Sequence, residues 1–296
     1  MVGTFAVAPD GLWIGFGGKL GRLDFNLTTN LVMQLPIDPA TPITCLCRTP
    51  SDMWVGTQGD GLIGCNFASR QCVHLAEKDG LLMDFISSLC LAGDTLWIGY
   101  GGPSGGGLGK LDLATRRPTS FSASIAGGQG GQGMPPRVAV NGIACAGEDV
   151  WCVAQFLLRR YQSQIGQWET PPDFGHTSAL ERSADKLFLG MGPYGSFRGA
   201  EPASLGLRTM SLKDGQWKAF PAVPGLPTSV TCLTADGANV WVGGPSYIAL
   251  VDPAQEKVLK FAYVRARSVE QIQAGGGCVW AQCEKHLYKG LLTGSR

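Results

Sequence analysis

Residues 95–99 read TLWIG, and this short phrase decides the fold because it recurs along the whole chain. Each copy places an aromatic residue between two hydrophobic residues, and in most copies a glycine follows. The copies are GLWIG at Trp13, DMWVG at Trp54, TLWIG at Trp97, DVWCV at Trp151, KLFLG at Phe188, NVWVG at Trp241 and CVWAQ at Trp280. Repetition at about 40 residues is typical of propeller blades. The pattern therefore predicts an all-β, seven-bladed β-propeller of four-stranded antiparallel blades.

Each repeat divides into four strand signals, which we name a to d in chain order. In the second repeat these are ITCLCRT, MWVGTQ, GLIGCNF and QCVHLA, separated by turns rich in Gly, Asp, Pro and Ser. Strand c often ends in aspartate, as at Asp24, Asp112 and Asp252. An aspartate at the start of a hairpin commonly accepts hydrogen bonds from its own turn, so we predict a structural role for these three.

The composition excludes several other classes of protein. Glycine contributes 43 of the 296 residues without a G-X-Y period, which rules out collagen and disfavours long helices. Disorder is disfavoured because 44% of residues are hydrophobic and the net charge is only +1. The balanced charge and the lack of a basic run give no indication of nucleic acid as a partner. No signal peptide or membrane-spanning segment is evident.

The repeated aromatic residues have a physical explanation in a propeller. Each one is expected near the start of strand b, where its wide ring fills the gap between twisted neighbouring blades. The glycine two positions later is expected to let the backbones approach closely. Trp168 and Trp217 occupy a different position, at the start of strand d, and are expected on the outer blade surface.

The phrase LWIG followed by GLGKLD resembles the two-component regulator propeller repeat, LWIGT…GL…D. The resemblance is at the level of the repeat, best at Trp13, Trp54 and Trp97, and it extends over essentially the whole chain. Repeats four, five and seven depart from it. Such repeats build the sensing domains of bacterial hybrid histidine kinases, but no kinase, receiver or DNA-binding segment follows here. The resemblance implies a propeller that binds something, such as the recognition part of a sensory or cell-envelope system.

We expect one propeller domain over residues 1–296. The approximate blades are 1–36, 37–78, 79–125, 138–174, 175–223, 228–264 and 268–296. No strand d is evident for the seventh blade. Three explanations stay open: a three-stranded blade, a reading frame that lacks an upstream strand, and completion by a strand from a partner.

The ten cysteines are expected to be mainly reduced core residues, with one or more disulfides as the alternative. Cys45, Cys47, Cys90, Cys145 and Cys232 all lie in alternating apolar stretches. No CxxC motif occurs and the three histidines lack ligand spacing, so neither a metal nor a cofactor is expected.

The candidate site follows from three expanded connections in repeats three to five. They are the b–c insertions GYGGPSGGG and GMGPYGSFRGAEPAS and the d–a link SIAGGQGGQGMPPR. In a propeller, b–c turns and d–a links emerge at the same end of the blades, which we call the loop end. Scaffold-mounted loops commonly carry function. The candidate ligand-binding residues are Tyr100, Arg137, His176, Tyr194, Phe197, Arg198 and Glu201.

The leading functional hypothesis is a non-catalytic module that binds a small glycan, a peptide or a protein at the loop end. The alternative is a propeller enzyme, a lyase or hydrolase, acting at the same end, and no catalytic residue is assigned. Aromatic residues beside arginine and glutamate are suited to stacking on a sugar or engaging a peptide. The chain as written indicates a cytoplasmic location, and a missing upstream segment would change that to an extracytoplasmic one.

Overall fold

The computed structural model describes residues 3–102, 105–121, 138–147, 149–154, 156–169, 171, 176–183, 185–192, 204–223, 228–284 and 286–291. The chain forms two compact units, residues 1–172 and 173–296. Within the described residues it is a seven-bladed β-propeller whose last blade has three strands, as the repeat predicts.

The first unit contains four blades, each a four-stranded antiparallel sheet in which neighbouring strands are consecutive in the chain. Blade 1 consists of β1 (Thr4–Ala8), β2 (Gly11–Phe16), β3 (Lys19–Leu23) and β4 (Thr29–Gln34). Blade 2 consists of β5 (Ile43–Arg48), β6 (Asp52–Thr57), β7 (Leu62–Asn66) and β8 (Cys72–Leu75), followed by a 3₁₀ turn at Glu77–Asp79. Blade 3 consists of β9 (Ile86–Ala92), β10 (Thr95–Gly102), β11 (Gly105–Asp112) and β12 (Arg117–Phe121). Blade 4 consists of β13 (Val140–Ala146), β14 (Asp149–Ala154), β15 (Leu157–Gln162) and β16 (Gln167–Glu169).

The second unit contains the remaining three blades. Blade 5 consists of β17 (Thr177–Ser183), β18 (Lys186–Met191), β19 (Ser204–Ser211) and β20 (Trp217–Pro221). Blade 6 consists of β21 (Cys232–Asp236), β22 (Asn239–Gly244), β23 (Tyr247–Asp252) and β24 (Lys257–Tyr263). Blade 7 consists of β25 (Gln271–Gly275), β26 (Cys278–Cys283) and β27 (His286–Leu291).

Within each unit the hydrophobic core lies between adjacent blades, where five of the repeat aromatics pack against the next blade: Trp13, Trp54, Trp97, Phe188 and Trp241. Trp151 and Trp280 are also buried. The glycine after the aromatic residue fits against a branched side chain at the start of the next blade. A Cβ added at Gly15 would lie 2.8 Å from Cγ2 of Ile43, and one at Gly56 would lie 2.8 Å from Cγ2 of Ile86. Gly190 and Gly243 meet Val230 and Val269 in the same way. The glycine of the repeat is therefore needed for the close approach of neighbouring blades.

Hydroxyl groups on the first strands connect neighbouring blades within each unit. Thr44 Oγ1 donates to the carbonyl oxygen of Ile86 (2.5 Å), and Thr231 Oγ1 donates to that of Val269 (2.6 Å). Ser87 and Ser178 donate to the carbonyls of the corresponding valines, Val140 and Val230. These bonds satisfy carbonyl groups at the inner edge of the blades.

The repeat aromatic also contacts the strand beside it. Arg22, Lys110, Arg160 and Lys289 place their cations 5.7, 5.9, 5.3 and 5.4 Å from the ring centroids of Trp13, Trp97, Trp151 and Trp280. In blade 2 the equivalent position is Gly64, where a Cβ would lie 2.7 Å from the Trp54 ring. In these five blades strand c is thus adapted to the aromatic residue of strand b, either by a cation or by the absence of a side chain. Blades 5 and 6 instead place Thr209 and Leu250 at this position.

The turns between strands c and d confirm the structural role of the aspartates. Asp24 Oδ1 accepts from the amides of Asn26 and Thr28, both at 2.9 Å. Asp112 Oδ1 accepts from the amide of Thr115 (2.7 Å), and Asp252 Oδ1 accepts from that of Ala254 (2.8 Å). These carboxylates hold their own hairpins in shape.

The cysteines differ in part from the leading expectation. Cys65 and Cys72 face each other across β7 and β8 with 4.1 Å between their Cα atoms, and they form a disulfide. The sequence pattern did not show that the c–d turn brings this pair into register. Cys45, Cys47, Cys90, Cys145 and Cys232 are free, as are Cys152, Cys278 and Cys283. Burial raises the pKa of the Cys45 thiol to about 12, so this thiol stays protonated.

Candidate functional site

Tyr100, a candidate binding residue, belongs to the core of blades 2 and 3. Its side chain is 0% exposed, and burial raises the pKa of its phenol to about 12. The ring lies over Gly109 of β11, where a Cβ would be 2.8 Å from the ring. Because the side chain presents no surface to a ligand, we do not include Tyr100 in the candidate site. The sequence could not reveal the glycine that makes room for the ring.

In the glycine-rich b–c insertion of blade 3, the described residues extend strands β10 and β11. Strands β10 and β11 pair as far as Gly102 and Gly105. A Cβ at Gly106 would lie 2.0 Å from the carbonyl oxygen of Tyr100 and 2.6 Å from Cα of Ala139. A Cβ at Gly102 would meet the ring of Phe85 at 3.0 Å. Glycine is required here by packing, which differs from the sequence interpretation that this cluster marks a functional loop.

His176 lies at the root of the b–c insertion of blade 5. The amide of Gly192 donates to the carbonyl oxygen of His176 (2.8 Å), and a Cβ at Gly192 would lie 2.6 Å from Nδ1 of the imidazole. The half-buried histidine therefore packs where strand b leads into the insertion. Arg137, Tyr194, Phe197, Arg198 and Glu201 lie outside the described residues, and their place in a site stays a prediction.

An exposed aromatic–arginine segment lies at the same loop end, on the link from blade 6 to blade 7. It consists of Tyr263, Arg265 and Arg267, which we call the YRR segment. Tyr263 is 74% exposed, and both arginines are exposed. No ion pair joins either guanidinium to a carboxylate within the described ranges. The phrase FAYVRARS at residues 261–268 is the sequence signal for this segment, and the search for expanded connections misses it because the link has an ordinary length.

Hydrogen bonds hold the YRR segment against the b–c turn of blade 6. The amide of Val264 donates to the carbonyl of Ser246 (2.9 Å), and Ser246 Oγ donates to the carbonyl of Ala266 (2.6 Å). The amide of Val269 donates to the carbonyl of Gly244 (3.2 Å). The backbone on both sides of each arginine is thus fixed, which reduces the conformational entropy that ligand binding would cost.

A row of aromatic rings connects Tyr263 to the interior of blade 6. Its ring centroid lies 4.7 Å from that of Phe261, in an edge-to-face arrangement. Phe261 stacks in turn on Tyr247 with a centroid distance of 6.1 Å. Tyr247 is fully buried, and its hydroxyl donates to the carbonyl of Ser229 (2.9 Å). The exposed ring at the surface is therefore supported by a fixed aromatic base.

Glu181 is a carboxyl group with a perturbed environment in strand a of blade 5. Burial raises its pKa to about 7, although the amide of Ala235 donates a hydrogen bond that opposes the shift. Glu181 and His176 are five residues apart near one strand, so their Cα atoms are about 16 Å apart at ~3.3 Å per residue. That separation is too large for the two groups to act as one hydrogen-bonded acid–base pair.

Within the described ranges, no group of three or more His, Cys, Asp or Glu side chains is arranged to hold a metal ion. Among the helices described for this chain, none has the length and apolar character needed to cross a membrane.

Solved structures similar to this chain are propellers of several kinds. The extracellular domain of a protein assigned as a hybrid two-component system from B. thetaiotaomicron matches with a TM-score of 0.70 and 18% identity, over 98% of this chain and 38% of that chain. The Neurospora crassa Pan2 WD40 domain matches with a TM-score of 0.71 and 11% identity, over 100% of this chain and 90% of that chain. BamB from Moraxella catarrhalis matches with a TM-score of 0.56 and 15% identity, over 95% and 81% of the two chains.

These similarities establish the fold. No protein-family profile matches the chain, and no curated protein matches it in sequence. This chain spans less than two fifths of the length of the two-component system domain. Since identities this low accompany many different functions, the ligand has to be argued from the chain's own residues.

Proposed function

We propose that this chain is a non-catalytic binding propeller that recognises a carboxylate-bearing ligand at the loop end of its second unit. The observation that carries the proposal is the YRR segment, two exposed arginines beside an exposed tyrosine on a link fixed by hydrogen bonds. Arginine binds carboxylates through paired N–H donors, and tyrosine offers a rigid face for stacking. An acidic glycan and an acidic peptide both present this chemistry.

The b–c insertion of blade 5 is the second part of the proposed site. It begins next to His176 and emerges at the same end of the unit as the YRR segment. Tyr194, Phe197, Arg198 and Glu201 would supply further aromatic and charged contacts from this insertion. Arg137, on the blade 3 to blade 4 link of the first unit, stays a separate prediction from the sequence.

A sensory role outside the cytoplasm is part of this proposal. Two observations support it: the Cys65–Cys72 disulfide and the likeness to an extracellular domain. Disulfides persist mainly in oxidising compartments. The free thiols are compatible with such a compartment because burial protects thiols such as Cys152, whose pKa rises to about 12.

A thermal-shift screen tests the proposal with three sets of compounds: oligosaccharides containing uronic acid, acidic peptides and divalent metals. A ligand that binds only the folded protein raises Tm. The shift should disappear in the R265A/R267A variant and persist in R116A/R117A, which removes two exposed arginines of a c–d turn in blade 3. Equal shifts in both variants would refute the YRR segment as the site.

The insertion is tested separately with a variant in which Tyr194, Phe197 and Arg198 are all replaced by alanine. We expect its affinity for the ligand found in the screen to be abolished, while Tm without ligand stays close to that of the unaltered protein. Unchanged affinity would remove the insertion from the site. The YRR segment would then be tested by the R265A/R267A variant alone.

A further inference from the structure

Strand β27 of blade 7 lacks the coverage that other c strands have. In each of blades 1 to 6, at least two described residues of strand c are buried. In β27, none of the residues His286, Leu287, Tyr288, Lys289 and Gly290 is buried. The side chain of Tyr288, for example, is 41% exposed. In the other blades strand d pairs with the outer side of strand c, and the described part of blade 7 has three strands.

The outer side of β27 is therefore an edge within the described residues. On its other side β27 pairs with β26, and the residue pairs extend from Cys278 with Leu291 to Cys283 with His286. An edge strand presents backbone N–H and C=O groups that an extended segment can pair with. Strand addition to such an edge is a recurrent way of recognising peptides.

Blade 4 indicates what a fourth strand in blade 7 requires. In blade 4 the guanidinium of Arg160 lies 5.3 Å from the centroid of Trp151 and forms an ion pair with Glu169 of strand d (3.0 Å). In the strand register Arg160 of β15 lies opposite Trp151 of β14 and opposite Glu169 of β16. In blade 7, Lys289 takes the position of Arg160, facing Trp280 with its ammonium 5.4 Å from the ring.

The neighbouring position adds a second requirement. In blade 4, Tyr161 faces Trp168 of strand d, with ring centroids 5.1 Å apart. In blade 7 the equivalent of Tyr161 is Gly290, and a Cβ there would meet only Val279 within 3.4 Å. The lack of a side chain leaves room beside Gly290 for a large apolar residue on the added strand.

We propose that blade 7 accepts a fourth strand, antiparallel to β27, from an extended segment of a partner protein that carries an aromatic residue followed by an acidic one. The acidic residue would face Lys289, as Glu169 faces Arg160, and the aromatic residue would face Gly290. This interface is separate from the loop-end site and does not depend on it.

The probe is a synthetic peptide with the sequence of residues 163–172, SQIGQWETPP, which contains strand d of blade 4. Amide hydrogen exchange of β27 is measured on the whole protein with and without peptide. We expect exchange at β27 amides to slow at least tenfold at saturating peptide, while strand d amides of blade 6 keep their rates. No slowing at about 1 mM peptide, which corresponds to a weak but still useful affinity, would overturn the proposal.

Two controls separate strand addition from other binding. A peptide N-methylated at alternate residues loses its backbone donors on one edge, and equal protection by this peptide would overturn the proposal. In the K289E variant, the peptide with Glu replaced by Lys should bind better than the original, which reverses the preference of the unaltered protein. If the preference does not reverse, the assigned register is wrong. K289E and K289R should each have the Tm of the unaltered protein, which would show that blade 7 is still folded in both variants.

The other occupants of the edge give different results. If β27 amides are already protected before any peptide is added, the edge is paired within the protein itself. If protection without peptide rises with protein concentration, the occupant is a second copy of this chain. Either result would overturn a partner segment as the fourth strand.

Discussion

Replacing Gly15 by alanine tests whether close blade packing explains the repeated glycine. A Cβ at this position would lie 2.8 Å from Cγ2, 3.1 Å from Cδ1 and 3.2 Å from Cβ of Ile43. All three atoms belong to a side chain that is only 4% exposed, so it has little room to move. Alanine in place of glycine inside a strand ordinarily gains about 0.5–1 kcal/mol. Overpacking costs about 1–3 kcal/mol, so we expect a net loss of about 1–2 kcal/mol.

The same substitution should behave differently when Ile43 is alanine. Ile43→Ala removes two of the three atoms that the new methyl group would meet, and it costs about 2–5 kcal/mol by itself. In that background Gly15→Ala should gain about 0.5–1 kcal/mol, because the methyl group fills part of the cavity. The double-mutant cycle therefore predicts a coupling free energy of about 2 kcal/mol between the two positions.

Urea denaturation of the four proteins measures these free energies, and thermal unfolding provides an independent check. A loss of about 1–2 kcal/mol lowers Tm by about 2–6 °C in a protein of this size. Gly290→Ala is the milder comparison, because a Cβ there meets a single atom of Val279 at 3.0 Å, where one at Gly15 meets three atoms of Ile43, so its loss should be smaller. The reasoning is refuted if Gly15→Ala stabilises the unaltered protein, or if it costs as much in the I43A background.

Three further predictions concern local features. Arg116 has φ of +57°, and the equivalent residue of blade 5, Gly215, has φ of +69°. Arg116→Gly should therefore stabilise the fold by about 0.5–1 kcal/mol, and Gly215→Ala should destabilise it by about 1 kcal/mol. Urea denaturation measures both changes. The pKa of Glu181 rises from 4.5 to about 7 on folding, so the free energy of unfolding should fall as pH increases from 4.5 through 7. Since part of the side chain remains in water, we expect a loss of about 1–2 kcal/mol. Glu181→Gln should abolish this dependence when denaturation is measured at several pH values. Replacing Cys65 and Cys72 by serine should cost about 2 kcal/mol for so short a loop, and mass spectrometry of the unreduced protein should find this pair joined; a disulfide between other cysteines, or none, would contradict the structure.

The blade architecture was predictable because one physical constraint repeats. Trp54 is followed two residues later by Gly56, and the same pair recurs at Trp241 and Gly243. The five copies that carry this glycine report the same close approach of a strand to the next blade, so the period reveals the fold even where the connections vary. For the last blade the sequence showed no strand d and left three explanations open, and the described part of that blade has three strands.

The candidate site was less predictable, because the sequence does not distinguish a glycine needed for packing from one in a mobile link. Gly106 and Gly102 looked like part of a loop, yet each fits against a specific neighbour. Tyr100 looked exposed for the same reason. Conversely, Arg265 and Arg267 lie in a link of ordinary length, and nothing in its composition shows that hydrogen bonds hold it to the adjacent turn.

The positions that fix the blades and the positions of the proposed binding site are therefore different sets of residues. Substitutions at Gly243 or Trp241 would disturb the packing of blades 6 and 7, since both residues are buried against the next blade. Tyr263 and Arg265 bury little surface, and their backbone is held by bonds to the turn that do not involve their side chains. Ligand preference can then change through these side chains at a small cost in stability, because exposed substitutions usually alter it by less than about 0.5 kcal/mol. A propeller of this kind can keep its packing repeat while the chemistry of its loop end varies.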